Sequence, residues 1–111
     1  MQVSELANII GATYAQPCED RKIRAGYACD LLSWVMAKGV PSCAWITVQT
    51  HMNVIAVAAL HEMACIIHPE GVEPEAATLE KAAQEGIAVL LSPKTAYEIC
   101  HLMAAAGIPT V

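Results

Sequence analysis

Short apolar runs alternate along the chain with longer stretches whose apolar residues recur at helical spacing. Cys43–Val48, Ala64–Ile67 and Ile87–Leu91 show no regular polar alternation, which predicts strands buried on both faces of a sheet. Lys22–Cys29 reads as a further strand, and Ala12–Ala15 as a short extended piece. Between them lie predicted helices. The first runs from Ser4, its N-cap, through Leu6, Ile9 and Ile10 to a stop at Gly11. The second, Leu31–Lys38, is capped by Asp30 and ends before Gly39. The third spans about His51–Met63. The fourth, Pro74–Glu85, turns Leu79, Ala82 and Ala83 inward and closes at Gly86. The last covers about Lys94–Ala106, with Ser92 as N-cap and Pro93 at the first helical position.

Strands that alternate with helices in this way imply βαβ units. The expected fold is α/β, a mainly parallel sheet covered by helices, built as one domain over residues 1–111. No internal repeat, linker or low-complexity segment interrupts it. The stretch ITVQTHMNVIAVAALH, Ile46–His61, stands out. It joins the end of a strand to the next helix through Gln49, Thr50, His51 and Asn53, and that helix has almost no polar face. Val54–Leu60 are therefore expected to be buried, with His51 and Asn53 facing a crevice at the strand end.

Composition narrows the picture. The chain is 56% hydrophobic and only 15% charged, with no Phe, so small aliphatic side chains must fill the interior. A surplus of this size in a small domain predicts a surface covered by a partner, most simply a second copy in a homodimer; any other partner protein is unnamed by the sequence. The formal charge of −5 argues against nucleic acid as a partner. The one basic cluster, EDRKIR at Glu19–Arg24, includes two acids and reads as a solvated turn. No apolar run reaches the roughly 18 residues of a membrane span, and Met1 leads into an amphipathic segment with Glu5 rather than a basic-then-apolar leader. The five cysteines, Cys18, Cys29, Cys43, Cys65 and Cys100, are odd in number and form no CxxC, as expected of reduced core thiols in the cytoplasm.

In an open parallel sheet, ligands bind outside the carboxyl ends of the strands, where helix N-termini point. Polar residues are scarce here, yet they gather at those ends: Asp30; Gln49, Thr50, His51 and Asn53; His68; Ser92 and Thr95. These eight are the candidate ligand-binding residues, although Asp30, Thr50 and Ser92 would also serve as plain helix caps. Catalytic chemistry is less well supplied. Ser92 lacks the Gly-x-Ser-x-Gly context of a nucleophile elbow, and Cys29 stands beside Asp30, whose charge disfavours a thiolate. The glycines are isolated, so no phosphate-cradling loop is formed and no cofactor is expected. A small metal-binding or catalytic protein using His51 and His68 is the alternative, without the H-x₃-H or CxxC spacing that would support it.

The segments GYACDLLSWVMA, WITVQTHMNVIAVAAL, IIHPEGVEPEAATLEKAAQEGIAVLLSP and TAYEICHLMAAAGI, in this order, resemble the DRTGG domain family. They are similar also to the amino-terminal domain of HPr kinase/phosphorylase. The resemblance implies a small α/β module of noncatalytic, regulatory character. Such modules accompany phosphotransacetylases and nucleotide-binding CBS pyrophosphatases or stand alone, which implies dimerisation and sensing of a nucleotide or phosphorylated metabolite. The family takes its name from an Asp-Arg pair after one strand and a Thr-Gly-Gly after the next. The matching places here read Thr50-His51 and His68-Pro69-Glu70-Gly71, with only Gly71 in common, which marks a divergent branch.

Overall fold

The apolar runs form the interior of a five-stranded sheet in a computed structural model that describes residues 1–111. In chain order the elements are α1 (Val3–Ile9), β1 (Thr13–Gln16), β2 (Ala25–Ala28), α2 (Leu32–Lys38), β3 (Cys43–Ile46), α3 (Asn53–Leu60), β4 (Cys65–His68), α4 (Ala76–Glu85), β5 (Ala88–Leu91) and α5 (Ala96–Ala105). The strands lie in the order β1-β5-β4-β3-β2. β2 to β5 are parallel neighbours, and β1 pairs antiparallel with β5 at one edge. Every residue of β3 and β4 is buried, as their lack of polar alternation requires.

Because β2, β3, β4 and β5 follow one another without reversal, successive right-handed crossovers place their helices on the same face. Val35 of α2, Val54, Ile55, Val57 and Ala58 of α3 and Ala82 of α4 accordingly pack with Cys43, Trp45, Ile66 and Val89. The opposite face belongs to α1 and α5. There Leu6, Ala7, Ile99 and Met103 meet Ala44, Ile46, Cys65, Ile67, Ala88 and Leu90. Neighbouring residues of each strand thus enter opposite layers, the period-two rule at work. Trp45 is wholly buried, and its indole N–H donates to the Cys29 carbonyl at 2.8 Å, so no polar cost is left with its large apolar ring.

Helix starts depart from the sequence reading because distant or unexpected groups cap them. Ser4 lies inside α1 rather than ahead of it. Its amide and hydroxyl donate to the Asp20 carboxylate at 3.1 and 2.6 Å, and these bonds hold that carboxyl below its usual range. α5 begins at Ala96, capped by Thr95, whose hydroxyl oxygen accepts from the Glu98 amide at 3.2 Å; Ser92 and Pro93 lie outside the helix. α4 closes as expected, on Gly86 in the left-handed region (φ 68°) that a residue with Cβ adopts only under strain. α3 is shorter than its apolar pattern suggests. Its final residue, Leu60, is 66% exposed, which corrects the expectation that Val54–Leu60 are all buried. No helix is long and apolar enough to cross a membrane.

Candidate functional site

The ends of β2 and β3 are locked together by one carboxylate. Asp30 Oδ1 accepts from the Thr47 hydroxyl at 2.8 Å and from the Val48 amide at 2.9 Å. Thr47 Oγ1 in turn accepts from the Gln49 amide at 3.1 Å, while Gln49 Nε2 donates to the Asp30 carbonyl at 3.1 Å. Asp30 does not cap α2, whose N-cap is Leu31. Its side chain points across to the neighbouring strand end instead. A crevice of about 130 Å³ opens beside this knot, bordered by Ala28, Asp30, Thr47, Val48, Pro69 and Ala96.

Thr50, His51 and Asn53 sit at the start of α3, where only the His51 side chain bonds the backbone. The Asn53 amide donates to His51 Nδ1 at 3.1 Å, and the amides of Val54 and Ile55 donate to the carbonyls of His51 and Met52. The Thr50 carbonyl accepts from the buried Thr78 hydroxyl of α4 at 2.6 Å. The first turn of α3 therefore has no open amide. The side chains of His51 and Asn53 remain exposed.

His68, the last residue of β4, is wholly buried. Its Nδ1 lies 2.7 Å from the Thr47 carbonyl, which fixes Nδ1 as the protonated nitrogen, and Nε2 has no partner. Burial pushes its pKa below the ordinary histidine value, against the smaller opposing pull of the Thr47 carbonyl. The ring is consequently neutral near pH 7. Ser92 is equally buried; its hydroxyl donates to the Ile10 carbonyl at 2.6 Å, tying β5 to the end of α1, and accepts from the Lys94 amide at 3.2 Å. The loops after β4 and β5 are joined by bonds from Glu70 to Lys94 and from Gly71 to Ser92, each 2.9 Å. Beyond them, the Ala96 and Tyr97 amides opening α5 have no acceptor.

Of the eight candidate residues, Asp30 and Gln49 join in one network around Thr47, and His68 touches that network through the Thr47 carbonyl. Thr50, His51 and Asn53 form a neighbouring group that fixes α3, whereas Ser92 serves the α1 contact and Thr95 caps α5. Thr47 and Thr78 are missed by sequence reasoning. Thr47 carried a signal, a lone hydroxyl inside an apolar run; Thr78 carried none, since its partner lies 28 residues away. Chemically the arrangement holds loops and offers hydrogen bonds. Neither His51 nor His68 bonds a hydroxyl or thiol, so neither is placed to activate a nucleophile. No three His, Cys, Asp or Glu side chains meet at spacing that could hold a metal.

Neither a protein-family model nor a curated protein sequence matches the chain. Its fold is similar to that in the crystal structure of the CBS and DRTGG domains of the regulatory region of Clostridium perfringens pyrophosphatase, complexed with the activator diadenosine tetraphosphate. The TM-score is 0.74 at 13% sequence identity, over 96% of this chain and 47% of the other, so the chain spans about half the length of that regulatory-region chain. The fold is DRTGG-like, in agreement with the resemblance read from the sequence.

Proposed function

We propose that the chain is a noncatalytic regulatory domain, acting as a homodimer, that senses a nucleotide or a phosphorylated metabolite at the crevice beside Asp30. The observation that carries this reading is the pairing, at one strand-end crevice of a DRTGG-like fold, of an exposed acceptor with unpaired donors. Only one Asp30 oxygen is engaged, and the other suits a sugar hydroxyl or an exocyclic amine. The open amides of Ala96 and Tyr97 suit an anionic group at the positive end of α5. The likeness to a regulatory region solved with a dinucleotide activator supports the same ligand class.

Size adds a constraint. At about 130 Å³ the crevice is smaller than the 300–1,000 Å³ typical of small-molecule pockets, so it would enclose only part of such a ligand. It adjoins an apolar trough of about 240 Å³ between β2 and α5, and the two share Ala28 and Ile46. A base lying against Met103 and Ile108 with its sugar near Asp30 would use both. A thermal-shift screen of nucleotides and sugar phosphates tests the proposal. A ligand at a hundred times its dissociation constant adds about 2.7 kcal/mol, which for a domain of this size raises the melting temperature by about 10 °C or more. Ala28→Trp, which fills the shared wall, should abolish the rise. No stabilisation by any compound, or a rise that Ala28→Trp leaves intact, would overturn the assignment.

A further inference from the structure

Most backbone donors beside the strand-end crevice are already spent. The amides of Val48 and Gln49 go to Asp30 Oδ1 and Thr47 Oγ1, those of Glu70 and Gly71 to the Lys94 and Ser92 carbonyls, and that of Lys94 to Ser92 Oγ. The Ala96 and Tyr97 amides stay open, and two N–H groups can engage the oxygens of one phosphate. The residues that border the crevice include one carboxylate, Asp30, and no guanidinium or ammonium.

Charge is divided between the two ends of the sheet. Asp30, Glu70, Glu73 and Glu75 lie on the loops that leave the carboxyl ends of β2 and β4, and Glu98 lies in the first turn of α5. Lys94 is the one cation on these loops, and Glu98 holds it at 3.6 Å. The other basic side chains belong to the opposite end. Arg21 lies close to Gly86, ahead of β5, and the Arg24 amide bonds the Ser42 carbonyl, ahead of β3. Lys22 is bridged to Gln2, Lys38 closes α2, and Lys81 pairs at 3.0 Å with Glu85, the last residue of α4. An anion at the crevice therefore meets a rim of carboxylates and one ammonium that is already paired. The α5 amides offset this for one phosphate, whereas each further phosphate adds charge that the rim repels.

We infer, deepening the ligand reading given above and resting on it, that the crevice takes a nucleoside carrying a single phosphate and turns away di- and triphosphates. The base lies in the trough between β2 and α5, where Gly26 leaves room beneath Met103; a Cβ on Gly26 would stand 2.8 Å from Met103 Cε. The test is isothermal titration calorimetry in EDTA, so that no divalent cation masks the phosphates. The probes are adenosine, guanosine, cytidine and uridine, each also as its mono-, di- and triphosphate. For the base that binds, the monophosphate should bind more tightly than the nucleoside, and at least about fivefold more tightly than the triphosphate. That gap should narrow as salt rises from about 20 to about 300 mM, because screening weakens the repulsion. Glu70→Gln combined with Glu98→Gln, with folding confirmed by circular dichroism, should narrow it at low salt. A nucleoside or triphosphate that binds as tightly as the monophosphate, or a gap that neither salt nor the double substitution narrows, overturns this inference and leaves the ligand site standing. No binding by any of these compounds also overturns it, and the site falls with it only if the sugar phosphates of the thermal-shift screen fail as well.

Discussion

Replacing His68 by leucine should change stability little near neutral pH and should remove part of the protein's sensitivity to acid. The imidazole is fully buried with one bond, Nδ1 to the Thr47 carbonyl at 2.7 Å, and one unpartnered nitrogen, Nε2. Leucine leaves the buried Thr47 carbonyl without its donor, at about 1–3 kcal/mol, but also removes a buried acceptor, Nε2, whose isolation costs about 1–3 kcal/mol. The terms oppose each other, so the variant should lie within about 1 kcal/mol of wild type, against the roughly 2–5 kcal/mol lost when a large buried side chain is truncated. The pH dependence has a definite sign. In the unfolded chain His68 titrates near 6.5, and burial lowers that value in the fold. Below about pH 6.5 the unfolded state therefore takes up a proton that the folded state refuses. His68 thus costs nothing in the alkaline range, and stability falls as pH drops from 6.5 towards the folded value, by up to about 1.4 kcal/mol per pH unit. Urea unfolding of both proteins between about pH 7.5 and about pH 5 measures the difference. Parallel curves, or a loss of about 3 kcal/mol or more at neutral pH, would refute this account of the buried ring.

Two further outcomes follow from the same network and from the core. Asp30→Ala removes the acceptor of the Thr47 hydroxyl and the Val48 amide. Asp30 is exposed, so the loss should be about 1 kcal/mol rather than the larger figure of a buried charged bond. Hydrogen exchange at Val48 and Gln49 should quicken while that of β4 stays unchanged; unchanged exchange at Val48 would show that the carboxylate does not hold the loop. The cysteines should divide by reactivity. Burial pushes the Cys43 thiol up to about 12 and the Cys65 thiol higher still, while Cys18, Cys29 and Cys100 are only half-buried. A thiol reagent at mildly alkaline pH should label at most these three in the native protein and all five in denaturant; native labelling of Cys65 would contradict the packing of β4.

The central sheet was legible because β3, β4 and β5 are buried on both faces and so lack polar positions to confuse them with helices. The start of β2 was not. Ile23 donates to the Met1 carbonyl and Lys22 pairs with Gln2, so this segment is held by the chain's first residues and joins the sheet only at Ala25. Helix starts escaped for a related reason. A cap read locally at Ser4 or Asp30 loses to a partner 16 or 17 residues away once the fold brings the two together. For the site, the strand ends and their polar residues could be read from the sequence, but the division of labour among those residues could not. Whether Ser92 faces a ligand or the Ile10 carbonyl is settled by the packing of α1, 82 residues earlier in the chain.

The order of the strands explains why so much polarity at the strand ends goes into structure. A doubly wound sheet forms its crevice where the order reverses and neighbouring crossovers part to opposite faces. Here β2 to β5 run without reversal, and α2, α3 and α4 share one layer, so their connecting loops crowd together and must be pinned to one another. Thr47 to Asp30, Thr78 to Thr50 and His68 to Thr47 are those pins. What remains uncommitted lies towards α5, at the second Asp30 oxygen and the Ala96 and Tyr97 amides.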